Sequence, residues 1–144
     1  MTTLIVDASI AIKWVIEEDG TPHALALRTR ARLAAPEFLV AECANILWKK
    51  VRRDELSADE ASLAARLIER ADVELMPMRS SLDAATRLAI ELDHAAYDCV
   101  YLALAVEKDW PFVTADERFL RKLHQSRLRG KAISLAEAAA SRHD

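Results

Sequence analysis

Glycine is nearly absent: Gly20 and Gly130 are the only two in 144 residues. A loop that cradles phosphates or a dinucleotide brings its backbone close to the ligand and needs clustered glycines to do so. Both kinds of nucleotide site are therefore excluded. Cysteine is just as scarce. Cys43 and Cys99 cannot build a disulfide framework or a four-ligand zinc site. Each lies in an apolar helical stretch and reads as a buried free thiol. No apolar run approaches the roughly 20 residues of a membrane span. The first residues also lack the basic-then-apolar pattern of a signal peptide. A cytoplasmic protein with no membrane partner is expected.

What is present points to a folded chain. Hydrophobic residues make up 52% and charged residues 30%, a globular balance, and the length fits a single domain over 1–144. The net charge of −3 is unevenly spread: Arg118 to Lys131 carries +6 with no acid, leaving −9 elsewhere. A smaller basic run is Lys49-Lys50-Val51-Arg52-Arg53. Such runs serve as solvated helix faces or as phosphate contacts, and both readings stay open here.

Along the chain, the β-branched run Leu4 to Val6 reads as a buried strand. Ser9 is a candidate N-cap for a helix over Ile10 to Ile16. Thr21 and Pro22 open a second helix to about Leu33, and Ala34-Ala35 is a very short strand. A helix follows from about Glu37 to Arg53. Another runs from Ser57 to Ala71, opened by a Ser57/Glu60 capping box. Val73 to Met76 is a strand, and Ser80 or Ser81 caps a helix from Leu82 to Leu92. Ala95 to Lys108 is almost wholly apolar, so it should be central. Phe112 to Thr114 is a strand, Asp116 to about Leu128 a basic helix, and Ala132-Ile133 a last strand before a helix capped by Ser134. Strands alternating with helices predict an α/β fold, a three-layer α/β/α sandwich around a mostly parallel sheet of four to five strands.

Four acids stand where a core should be. Asp7 ends the first strand, Glu42 and Asp98 interrupt apolar helices, and Asp116 follows the Phe112 strand. None has a Lys or Arg within the four preceding residues, so no local helix-face pair explains Glu42 or Asp98. Each has a plainer alternative: Asp7 binding amides in its own turn, Asp116 capping a helix, Asp98 answering a distant Arg, Glu42 reaching solvent. A shared cause is simpler, because Asp7 and Asp116 fall at strand ends on one sheet edge. Converged carboxylates repel one another, and a hard divalent cation relieves this, Mg²⁺ or Mn²⁺ rather than zinc. The matching chemistry is phosphodiester hydrolysis.

The motifs Ile5-Val6-Asp7-Ala8-Ser9, Glu42-Cys43-Ala44-Asn45-Ile46-Leu47, Tyr97-Asp98-Cys99-Val100-Tyr101-Leu102-Ala103-Leu104-Ala105 and Val113-Thr114-Ala115-Asp116-Glu117-Arg118-Phe119 resemble those of PIN-domain ribonucleases. The match is nearest to the VapC-type toxins of bacterial toxin–antitoxin pairs. The resemblance implies a PIN-like fold and an acidic pocket for Mg²⁺ or Mn²⁺ built from Asp7, Glu42, Asp98 and Asp116. It places Ser9, Asn45 and Thr114 beside that pocket as supporting residues. It further implies cleavage of RNA leaving 5′-phosphate and 3′-hydroxyl ends, a homodimer, and a small cognate antitoxin. Target RNA contact is assigned to Arg118, Arg121 and Lys122 on the basic helix. A catalytically silent PIN-like interaction module is the alternative. A phosphoacceptor receiver is disfavoured, because Asp7 stands alone after the first strand and the strand at Val73 ends in Met76-Pro77.

Other residues read as packing or as incidental. Trp14, Trp48 and Trp110 suit core or interface packing better than base stacking, and Tyr97 and Tyr101, at helical spacing, do the same. His94 reads as a cap or surface residue rather than a base. His23, His124 and His143 carry no assignment.

Overall fold

The computed structural model describes residues 1–141, so His143 lies outside the described residues. Five strands form one parallel sheet in the order β3-β2-β1-β4-β5. Strand β1 (Thr3–Val6) is central. Strands β2 (Arg32–Pro36) and β3 (Glu74–Met76) extend it on one side, β4 (Phe112–Thr114) and β5 (Ala132–Ser134) on the other. Parallel strands need crossovers, and the helices supply them. Helices α1 (Ala8–Lys13), α2 (Thr21–Arg30), α3 (Leu39–Arg52) and α4 (Ala58–Glu69) serve the β1-to-β3 half; α5 (Leu82–Leu92), α6 (Ala96–Lys108) and α7 (Glu117–His124) serve the other. The direction of travel reverses between the halves, so right-handed crossovers put the two sets on opposite faces. Helix α8 (Leu135–Ala140) returns to pack on α2. The result is the three-layer α/β/α sandwich expected from the alternation.

The sheet reverses its winding between β1 and β4. In open α/β sheets such a point opens a crevice at the carboxyl ends of the strands. Ile5 pairs with Phe112 and Val6 with Val113, which brings Asp7 level with Thr114. The strands beneath are sealed: Leu4, Ile5, Val6, Phe112 and Val113 are all 0% exposed. Helix α6 is as central as its composition predicted, with Cys99 and the run Tyr101 to Ala105 buried. Tyr101 stacks on Phe112 at 5.6 Å between ring centroids. Both cysteines are buried free thiols.

Several local expectations are corrected. Ser9 does not cap the first helix; it lies inside α1, and Asp7 is the N-cap, accepting from the Ile10 amide. Neither Ser80 nor Ser81 caps α5 with its side chain; a short 3-10 turn over Arg79–Ser81 leads into it instead. Helix α2 stops at Arg30 because Leu33 is taken into the sheet beside Leu4. Helix α7 ends at His124 rather than Leu128. There Ser126 Oγ donates to the Leu123 carbonyl and accepts from the Leu128 amide, so a serine turn breaks the helix. The Ser57/Glu60 capping box forms as read, and Ser134 caps α8.

Candidate active site

Asp7 sits where β1 gives way to α1 and is 6% exposed. The chain places donors around it. Oδ1 accepts from the Ser9 hydroxyl at 2.5 Å and the Ile10 amide at 3.3 Å, and Oδ2 accepts from the Thr114 hydroxyl at 2.6 Å. Thr114, the last residue of β4, is itself 1% exposed. The same two hydroxyls bind the next turn: the Ala115 amide donates to Ser9 Oγ and the Asp116 amide to Thr114 Oγ1. Two strand ends are thus laced together around one carboxylate. Even so, burial pushes Asp7 up to about 6, the Ser9 and Thr114 hydrogen bonds opposing this and the Asp98 charge adding to it. Hydrogen bonds alone do not compensate the charge.

Glu42 stands in the first turn of α3. Burial pushes it up to about 7, with Asp7 and Asp98 contributing like-charge repulsion. No ion pair offsets it among the described residues. The Tyr101 hydroxyl is buried beside this carboxylate, close enough to favour its charged form, yet misses hydrogen-bond geometry to any partner. Tyr101 is thus a donor held near the acid without a hydrogen bond to it. Burial, with Glu42 alongside, keeps the phenol protonated.

Asp98, in the first turn of α6, belongs to two groupings. Its charge reaches Asp7 and Glu42. Its carboxylate, one nitrogen of His94 and one oxygen of Asp116 also lie within 4.8 Å of one another, a set able to hold a metal ion. Asp116 caps α7, its Oδ1 accepting from the Phe119 amide at 3.1 Å. The capping alternative therefore holds, but it occupies one oxygen only. Asp98 thus links the two groupings, to Asp7 and Glu42 through charge and to His94 and Asp116 through proximity.

His94 is the residue the sequence reading undervalued. Its Nε2 lies 2.6 Å from Asp98 Oδ2, and Lys122 Nζ lies 3.4 Å from its Nδ1. An ammonium has only donors, so Nδ1 accepts and Nε2 carries the proton given to Asp98. His94 therefore holds and orients the carboxylate, as carboxylate partners do around metal sites. The spacing of four residues on a helix start was the available signal, but that signal is shared by many surface pairs.

The remaining assigned residues are more loosely placed. Asn45 is exposed on α3 and makes no hydrogen bond among the described residues. Lys122 is turned inward, donating to the Asp93 carbonyl at 2.8 Å. Arg118 and Arg121 are exposed and form no ion pair among the described residues. Trp14 is buried and donates to the Ala24 carbonyl. Tyr97 is 64% exposed and stacks on Phe38 at 5.5 Å.

Fold and site together define an α/β protein whose parallel sheet gathers acids at its winding reversal. The chain belongs to the PIN domain family, whose model matches residues 4–123. Among solved structures it is similar to PAE2754 from Pyrobaculum aerophilum at 24% identity and TM-score 0.73, covering 97% of this chain and 91% of that one. It is also similar to VapBC2 from Rickettsia felis bound to a DNA fragment from their promoter. There the identity is 15% and the TM-score 0.63, over 92% of this chain and 97% of that one. These likenesses are of fold. Comparison with curated proteins gives no match.

Proposed function

We propose that the chain is a metal-dependent endoribonuclease of the VapC type, the toxin of a toxin–antitoxin pair. The observation that carries this reading is a pair of carboxylates, the buried Asp7 and the half-buried Glu42, pushed up to about 6 and about 7 with no ion pair to either among the described residues. Such a site is built at a cost to the apo fold and is relieved by a divalent ion. The donor set fits Mg²⁺ or Mn²⁺: carboxylate oxygens from Asp7, Glu42, Asp98 and Asp116, with His94 orienting Asp98 from behind. When bound, the ion orients and acidifies the attacking water and neutralises charge developing on the phosphate.

The chain's own residues do the positioning. Ser9 and Thr114 fix Asp7 in one orientation, and Tyr101 supplies a protonated hydroxyl beside Glu42. The sealed sheet beneath keeps bulk water out of the crevice floor. The exposed Arg118 and Arg121 lie just beyond Asp116 and suit RNA phosphates.

Two surfaces support the proposed partners. An apolar cleft of about 360 Å³ between α3 and α4, lined by Trp14, Leu39, Cys43, Leu47 and Ile68, suits a segment of an antitoxin. On α5, Leu82 is 73% and Ile90 is 77% exposed, and with Thr86 they form a stripe at helical spacing that suits a homodimer. No helix among the described residues is long and apolar enough to cross a membrane, which accords with the cytoplasmic location we propose.

The reading is tested on mixed RNA with purified protein in Mg²⁺ or Mn²⁺, then in chelator. Cleavage that needs the ion supports it. Intact RNA under all conditions, with the protein folded, returns the chain to the silent interaction module.

A further inference from the structure

The basic run Lys49-Lys50-Val51-Arg52-Arg53 takes no part in the site described above, yet the fold sets part of it against that site. The carboxyl ends of α1 and α3 meet around a cleft of about 280 Å³. Lys13 from α1 and Lys49, Lys50 and Arg53 from α3 line it, and Glu18 is its only acid among the described residues. Ser9 also lines it, and Ser9 Oγ donates to Asp7. The cleft therefore adjoins the candidate active site through Ser9, one helical turn before Lys13.

Basic residues at the end of a helix ordinarily answer its dipole and the solvent. Two features exceed that role here. The side chains of Lys13 and Lys50 are only 13% and 14% exposed, and both ammoniums converge on Glu18, at 3.4 and 2.8 Å. Burial alone would raise Glu18, but these two lysines hold it below the usual carboxylate range. One carboxylate thus holds two cations at the cleft wall, and an ammonium has three N–H donors, more than this one partner takes up. Glu55 reaches Lys50 only at 3.7 Å and is not part of the lining. Lys49 and Arg53 form no ion pair among the described residues, so the cleft carries excess positive charge beside a crevice of negative charge.

We propose that this cleft is a phosphate subsite, taking a backbone phosphodiester of single-stranded RNA next to the one that is cut. The proposal rests on the nuclease reading and deepens it. Attraction at Lys13, Lys49, Lys50 and Arg53 offsets the repulsion an RNA strand meets from the four acids. It also fixes on which side of Asp7 the strand continues, along α1 rather than only across α7. Glu18 is a positioning residue that holds Lys13 and Lys50 in place.

The test uses the full chain and a short, labelled, mixed-sequence single-stranded RNA. Binding is read by fluorescence anisotropy across a salt series in the Asp98→Asn background, which keeps the RNA whole. Lys49→Glu with Arg53→Glu is compared with Arg66→Glu with Arg70→Glu, an equal charge change on exposed positions of α4 and its end. Loss of a phosphate contact lowers the salt slope by about 0.7 for single strands. We expect that reduction and about tenfold weaker binding for the cleft pair, with the α4 pair close to the parent. With Asp98 restored, the loss falls on KM rather than kcat. Equal effects from both pairs reduce the cleft to bulk charge and overturn the subsite. A parent that cuts RNA, beside a cleft pair with unchanged KM and salt slope, overturns the subsite alone. A parent that neither cuts nor binds RNA overturns the nuclease reading with it.

Discussion

Asp7 accepts three hydrogen bonds from Ser9, Ile10 and Thr114, and burial still pushes it up to about 6. Full engagement by donors with an incompletely compensated charge separates a structural carboxylate from one waiting for a cation. Asp7→Asn should therefore fold and, in chelator, melt no lower than the parent, because the change removes repulsion. Its stabilisation by Mg²⁺ should shrink, and differential scanning calorimetry reads both. At Asp98 the structure adds His94, which gives a second prediction. His94→Ala should weaken Mn²⁺ binding by about ten- to a hundredfold, the usual loss for a group that orients a ligand. His94→Gln, whose amide can still donate, should recover part of it. Equal losses for the two variants in titration calorimetry would remove the orienting role. The acids were legible in the sequence because a carboxylate in an apolar run has few explanations. His94 was not, since only the folded chain shows Lys122 on one ring nitrogen and Asp98 on the other.

At the scale of elements, local signals held in part: the Ser57 and Ser134 caps form, whereas Ser9 and Ser80 or Ser81 give their helices no side-chain cap. The Ser57/Glu60 box closes within one helical turn, so sequence sufficed to place it. Strand β2 was underestimated because its length is set by distant partners: Leu33 pairs with Leu4, and Pro36 with Met76. The scarcity of glycine leaves its own mark. Asp54, Asp93 and Asp109 all adopt positive φ, a conformation glycine takes without strain. Asp109 ends α6 at φ 55°, where a negative charge also opposes the helix dipole. Its contact with Lys131, at 3.6 Å, is largely exposed and worth little. Asp109→Gly should therefore stabilise the fold by about 0.5–1 kcal/mol, measured by chemical denaturation. A loss of stability would show that the Lys131 contact outweighs both effects.

For the whole molecule, the raised acids make stability depend on pH and on metal. A folded pKa above the unfolded value means that the native state binds more protons between the two, so stability falls as pH rises through that interval. Asp7 moves from 3.8 to about 6 and Glu42 from 4.5 to about 7. Their contribution is fully present below about pH 4 and is lost by about pH 7. Taken as the difference between the parent and Asp7→Asn, the melting temperature of metal-free protein should decline over that range. Mg²⁺ should restore it at pH 8 far more than at pH 5. A difference that is flat with pH would mean that Asp7 is not burdened by its burial. The layers and the parallel sheet followed from strand–helix alternation, whereas strand order and partners depend on contacts and surfaces that periodicity does not describe.

The most direct measurement is sequencing of RNA ends after mixed RNA is treated with the parent or Asp98→Asn, each with Mg²⁺ and with chelator. The expected result is new 5′-phosphate and 3′-hydroxyl ends at defined positions, from the parent with metal and from no other sample. Undiminished cleavage by Asp98→Asn, or by the parent in chelator, would contradict a metal-dependent site centred on these four acids.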